Sequence, residues 1–170
     1  MAVENVFNFY SSDSYQQVGN CLYPYHFIVK SAEDFKEMAS HDHVCVMYKN
    51  NYRGIENFVE SNVHQYDVDN HHSENPDAWI TDKQLHLAFE GVPHIISRSR
   101  NYMKQKGNYS PRPRYHIAVI GERETSSEEY VKFNARVLKQ FPYFDAQALD
   151  AGRFFFGVKD VVAEFYSGTI

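Results

Sequence analysis

Cysteine is scarce in this chain of 170 residues, which has only Cys21 and Cys45. Two cysteines so spaced form neither a metal knuckle nor a disulfide framework, and a reducing, cytosolic setting is expected. Long apolar runs are missing too. None approaches the ~18–20 residues that a transmembrane helix needs. The opening residues, MAVENVFNFYSSDS, contain no basic n-region and no uninterrupted apolar stretch, so no signal peptide is expected. Internal repeats and low-complexity tracts are lacking. So is a positive charge excess: the net charge of −5 argues against a protein that coats nucleic acid by bulk charge. A local basic groove stays open, because charge distribution matters more than the total.

Aromatic residues are abundant at 16%, with 13 Tyr and 13 Phe, which suits sheets and stacking surfaces. With 43% hydrophobic residues the chain can bury the core of one globular domain. Its length leaves room for two lobes and not for two independent domains.

Strand and helix patterns alternate along the chain. Tyr25 to Lys30 reads as a strand. Ser31 caps a short helix with Phe35 and Met38 as its apolar stripe. Val44 to Tyr48 reads as a strand, Ile55 to Glu60 as helical, and Val63 to Asp69 as a strand. Residues 70–80 form a polar loop. Thr81 caps a helix that runs to Phe89 and stops at Gly91. His94 to Ser97 is a strand, followed by a loop from Arg98 to Arg114. Tyr115 to Ile120 is a strand ended by Gly121. Ser126 or Ser127 starts a helix that Pro142 closes. Tyr143 to Asp145, Arg153 to Val158 and Val161 to Tyr166 are strand-like. The class is α/β or α+β.

The segment VHQYDVDN ends an alternating run in two carboxylates. Residues i and i+2 of a strand share a face, so Asp67 and Asp69 stand side by side. Such a pair repels unless a cation lies between the two groups, and hard divalent ions take oxygen ligands. A solvated Asp-x-Asp turn is the alternative. The loop RSRNYMKQKGNYSPRPR holds Arg98, Arg100, Lys104, Lys106, Arg112 and Arg114, interleaved with Tyr102 and Tyr109. Cations and aromatics together suit phosphates and stacked bases; a solvated loop is the bland alternative. Arg114 and His116 share a strand face and can both donate to an anion, unless His116 is a structural residue of the sheet. In FDAQALDAGRFFFGV, Asp145 ends a short apolar stretch, while Asp150 lies three residues before Arg153, close enough for a local ion pair. One of the two carboxylates can complete a metal site. GRFFFGV is a poor match to the aromatic RNA-binding strand of an RRM, and an aromatic core strand explains it as well. His41, His43, His64, His71 and His72 lack the spacings of zinc enzymes, and the Asp pair fails the EF-hand pattern.

An Asp-x-Asp strand end, a basic stretch leading to a strand His, and an Asp followed by an aromatic Arg strand occur here in that order. In this the chain resembles the archaeo-eukaryotic primase superfamily, the primase-polymerase fold. It is most similar to the branch found in bacterial phages, plasmids and integrated elements. SRSRNYMKQKGNYSPRPRYHIAV and FPYFDAQALDAGRFFFG carry the likeness, which covers about residues 63–158. The resemblance implies an α+β, two-lobed fold, with an N-terminal α/β lobe, an RRM-like lobe and the site between two sheets. Asp67 and Asp69 match the first motif and are expected to bind Mg²⁺ or Mn²⁺. His116 matches the second and is expected to contact the nucleotide phosphates. Asp145 matches the third motif's carboxylate, and Arg153 the basic position lining the site. Arg114 departs from the small residue usual two positions before the His, which adds a phosphate contact or alters nucleotide choice.

The resemblance further implies a cytoplasmic nucleotidyltransferase in DNA replication, with nucleoside triphosphates as substrates. Its template is single-stranded DNA, contacted by Arg98, Arg100, Lys104, Lys106 and Arg112. No zinc-binding cysteine motif and no helicase segment is present. Residues 1–170 then form one catalytic domain, as if excised from a longer replication protein, with a helicase domain or subunit as a further partner. Two other classes use the same residues: a metal-dependent phosphoesterase or nuclease, with water as nucleophile, and a non-catalytic module that binds single strands. A rolling-circle initiator is disfavoured, because its paired metal histidines separated by one apolar residue are absent.

Overall fold

A computed structural model describes residues 6–168 of the chain; the first five residues of the opening segment lie outside them. The fold is α+β, with two antiparallel sheets and three α-helices among these residues. The smaller sheet has the order β2-β1-β3, from β1 (Phe7–Ser11), β2 (Tyr25–Val29) and β3 (His43–Val44). The larger has the order β4-β5-β7-β6-β8, from β4 (Met47–Tyr48), β5 (Phe58–Val68), β6 (His94–Arg98), β7 (Tyr115–Glu124) and β8 (Ala163–Tyr166). The helices are α1 (Ala32–Met38), α2 (Asp82–Ala88) and α3 (Ser127–Gln140). Among the described residues no helix is long and apolar enough to cross a membrane.

Alternation along β5 and β7 makes a three-layer stack. Tyr66, Val68, Tyr115, Ile117 and Val119 turn to one face, where they pack with Leu85 and Phe89 of the α2 segment and with Phe144. Val63 and Ala118 turn to the other face and join Phe7, Phe9 and Val29 of the small sheet and Phe35 and Met38 of α1. Asp67, Asp69 and His116 follow the period of that second face. The sequence therefore sends its site carboxylates toward the layer between the sheets.

Local signals explain the helix starts. The Ser31 hydroxyl accepts from the Asp34 amide at 3.1 Å. Thr81 and Gln84 close a reciprocal capping box on α2. The Ser126 hydroxyl accepts from the Glu129 amide at 3.2 Å, which settles the start of α3.

Other expectations need correction. The strand expected over Val44–Tyr48 is two strands in different sheets, because buried Cys45 and Val46 carry the chain from one sheet to the other through the shared core. The helix expected at Ile55–Glu60 is only a 3-10 turn, Ile55–Asn57, and β5 begins at Phe58, where it can pair with β4. β7 does not end at Gly121 but runs on to Glu124. Tyr143 to Asp145 is a turn, with the Phe144 amide donating back to the Phe141 carbonyl. Arg153 to Val158 is no strand. It makes one isolated bridge, Phe155 to His43, which ties this segment to the small sheet. β1, the central strand of that sheet, received no assignment from the sequence.

Candidate functional site

Asp67 stands at the end of β5 directly opposite His116 of β7. A cleft of about 460 Å³ opens over them. Its lining also includes Asp69, Asp150, Arg53, Arg100, Lys106 and Arg153. The walls come from the long basic loop, the segment after Asp150 and the chain before β2, and Phe155 of the lining is bridged to His43 of the smaller sheet.

Each strand-end carboxylate is held by basic side chains. His116 Nε2 lies 2.8 Å from Asp67 Oδ1, and Arg153 Nη2 reaches Asp67 Oδ2. Lys106 Nζ lies 2.6 Å from Asp69 Oδ2, and Arg114 Nε is 3.7 Å from Asp69 Oδ1. Burial works to raise the Asp67 carboxyl. His116, by charge and contact, and then Arg153 and Lys106 outweigh it and bring the group from 3.8 down to about 2. The carboxylate is thus ionised throughout the physiological range.

The guanidinium groups are under-used. Arg153 Nε and Nη1 and Arg114 Nε and Nη2 are buried and have no hydrogen-bond partner among the described residues. A buried donor left unpaired costs free energy, so Arg153, which lines the cleft, is suited to take an acceptor there. The cleft lining carries four Arg and Lys side chains against three carboxylates, which favours an anion.

The six cations of the basic loop have different fates. Arg100 and Lys106 line the cleft. Arg112 is fully buried and ties two loops, donating to the Asn70 and Ser73 carbonyls at 2.9 and 3.1 Å. Arg114 is also fully buried; its Nη1 donates to the carbonyls of Asn101 and Lys104, so it braces the loop behind Asp69. Arg98 is exposed and lies over the Tyr102 ring at 4.3 Å, and Lys104 is exposed.

The later carboxylates also separate. The Asp145 amide donates to the Asp67 carbonyl at 3.0 Å, which brings the two residues together through the backbone. The Asp145 side chain, however, accepts from the Gln147 amide and caps the 3-10 turn Ala146–Leu149. Asp150 lines the cleft, and its Oδ1 accepts from the Gly152 amide at 2.8 Å. The ion pair expected between Asp150 and Arg153 is replaced by one between Arg153 and Asp67, since the Gly152 turn holds the Asp150 carboxylate.

The chain matches no family model, no curated protein and no solved structure.

Chemistry therefore rests on the residues themselves. Among the described residues, no group of three or more His, Cys, Asp or Glu side chains is arranged to hold a metal ion. Two carboxylates on one face still fit Mg²⁺, which commonly takes one or two from the protein and the rest of its shell from water and substrate phosphates. Sequence reasoning missed Arg53, whose Nη1 donates to the Gly152 carbonyl at 2.7 Å across 99 positions. Nothing local in the sequence marks it. The cleft-lining Phe154 and Phe156 stood within GRFFFGV, where their alternation around buried Phe155 was the available signal.

Proposed function

We propose that the chain is a primase-polymerase-type nucleotidyltransferase that joins a nucleoside triphosphate to a 3′-hydroxyl on a single-stranded DNA template. One observation carries the proposal. Asp67 and Asp69 share a sheet face at the floor of a cleft where Lys106, His116 and Arg153 converge on them. Carboxylates for divalent ions and cations for phosphates are what phosphoryl transfer needs, because its catalysis is mostly positioning and charge neutralisation. Mg²⁺ or Mn²⁺, when bound, lowers the cost of the attacking and leaving oxygens' charge. In the reaction the 3′-hydroxyl gives its proton to solvent, its oxygen bonds to the α-phosphorus, and the bond from that phosphorus to the bridging oxygen breaks, releasing pyrophosphate. Asp67 and Asp69 would hold the ions, and Arg153 and Lys106, which pair with them in the structure, would then face the triphosphate.

The bridge from Phe155 of the cleft lining to His43 of the smaller sheet supports a two-lobed reading, in which a helicase domain or subunit supplies the template in replication of a mobile element. Cys21 and Cys45 are both free thiols, in keeping with a cytoplasmic setting. The test is incubation with Mn²⁺, a primed template and nucleotides, with Asp67→Asn as control. Template-dependent extension lost in the variant is expected. Degradation of the primer points instead to a nuclease, and binding without turnover to a non-catalytic module; either result overturns the proposal.

A further inference from the structure

One wall of the cleft is aromatic. Phe154 and Phe156 are half-buried, lie two residues apart and meet edge to face at 5.1 Å. The Arg100 guanidinium lies over the Phe156 ring at 3.7 Å. That guanidinium is tethered: its Nη1 donates to Gln16 Oε1 at 3.2 Å, and Gln16 Nε2 donates to the Gly157 carbonyl at 3.1 Å. Fully buried Asp42 fixes both ends of this tether, since its Oδ1 accepts from the Gln16 and Gly157 amides, each at 2.7 Å. Gly157 is needed for so close a pass, as a Cβ there would stand 2.7 Å from the His41 backbone. The Arg100–Phe156 pair is thus held in place before any ligand arrives.

We propose that this pair is a stacking platform for a nucleobase, and that Asn101 beside it reads the base edge. Flat π and guanidinium surfaces are what an unpaired base stacks on. Asn101 also lines the cleft, and its side-chain amide has no hydrogen-bond partner among the described residues. It offers the donor and acceptor that a base edge requires. The cleft's 460 Å³ falls within the roughly 300–1,000 Å³ of small-molecule sites. The ligand is then a whole nucleotide, its phosphates toward Lys106 and Arg153 and its base on the Arg100–Phe156 pair. This rests on the phosphate-binding role proposed above.

Calorimetric titrations with Mg²⁺ present separate the two. Wild type, Phe156→Leu and Phe156→Trp are each titrated with ATP and with inorganic tripolyphosphate, after circular dichroism confirms that each is folded. Wild type is expected to bind ATP more tightly than tripolyphosphate. Phe156→Leu keeps the apolar volume without the ring and is expected to weaken ATP about 5- to 150-fold while leaving tripolyphosphate unchanged. Phe156→Trp is expected to restore ATP binding. If wild type binds both ligands equally, or if the Leu variant keeps its ATP affinity, the base platform is wrong while the phosphate role stands. If wild type binds neither ligand, both fall.

Discussion

At the Asp67 carboxylate, burial and neighbouring cations pull in opposite directions, and the cations win. The sign of its pH dependence follows. The folded-state value near 2 lies below the ordinary 3.8, so the ionised group stabilises the fold fully above about pH 4. That contribution is lost as pH falls toward 2, and at about 1.4 kcal/mol per pH unit it is worth roughly 2 kcal/mol. Asp67→Asn is expected to cost about 2–4 kcal/mol at pH 7, because it leaves Arg153 and His116 facing a neutral amide. The variant's further loss between pH 4 and pH 2 is expected to be smaller than that of wild type. Thermal unfolding across that range measures both, and an Asn variant more stable at pH 7 would overturn the account. Sequence alone suggests the reverse sign, since two adjacent carboxylates repel. It reveals the pair and their common face, but not that Lys106 and Arg153 arrive from 37 and 86 positions away.

At the scale of elements, Gly121 shows how a local signal misleads. Glycine reads as a strand stop, yet β7 passes through it to Glu124. Its role is a close approach between layers. A Cβ at this position would lie 2.7 Å from His64 Cδ2 and 2.8 Å from Phe133 Cζ. The imidazole cannot retreat easily, because Asn134 and the Glu122 carbonyl hold its two nitrogens at 2.9 and 3.2 Å. Gly121→Ala is therefore expected to destabilise by about 1–3 kcal/mol through overpacking, seen as a lower melting temperature. An unchanged melting temperature would mean that α3 shifts freely over the sheet. Helix starts were legible because a cap is a pattern of four consecutive residues, as at Ser31, Thr81 and Ser126. The division of β3 from β4 and the extension of β5 back to Phe58 were not, since both depend on pairing with strands distant in sequence.

For the whole molecule the question is what holds the two sheets in register around the cleft. His43 and Phe155 exchange backbone hydrogen bonds of 3.0 and 2.9 Å, binding the small sheet to the segment that carries Arg153 and Phe156. The two rings also stack, with centroids 5.9 Å apart, and Phe9 and Phe35 meet His43 edge-on. No local pattern signals this joint. It offered His43 only as a weak candidate for a metal site, whereas its Nδ1 donates to the His41 carbonyl at 3.0 Å and its Nε2 is buried without a partner among the described residues. Burial lowers the imidazole from 6.5 to about 4, with His116 adding to the effect and the His41 carbonyl opposing it. The unfolded chain therefore takes up a proton at His43 below about pH 6.5, while the folded one does so only near pH 4. Stability must fall across that window, by roughly 3 kcal/mol at about 1.4 kcal/mol per pH unit. Around the ring, Asp42 favours the protonated form and His116 opposes it, and neither overturns the burial effect. His43→Phe keeps the aromatic contacts and removes the titrating group. Chemical denaturation at pH 7, 5.5 and 4 is expected to show wild type losing more stability than the variant, by an amount approaching that figure at pH 4. Equal losses in the two proteins would show that the joint between the sheets is not where acid acts, and that other buried histidines such as His64 and His94 carry the proton uptake instead.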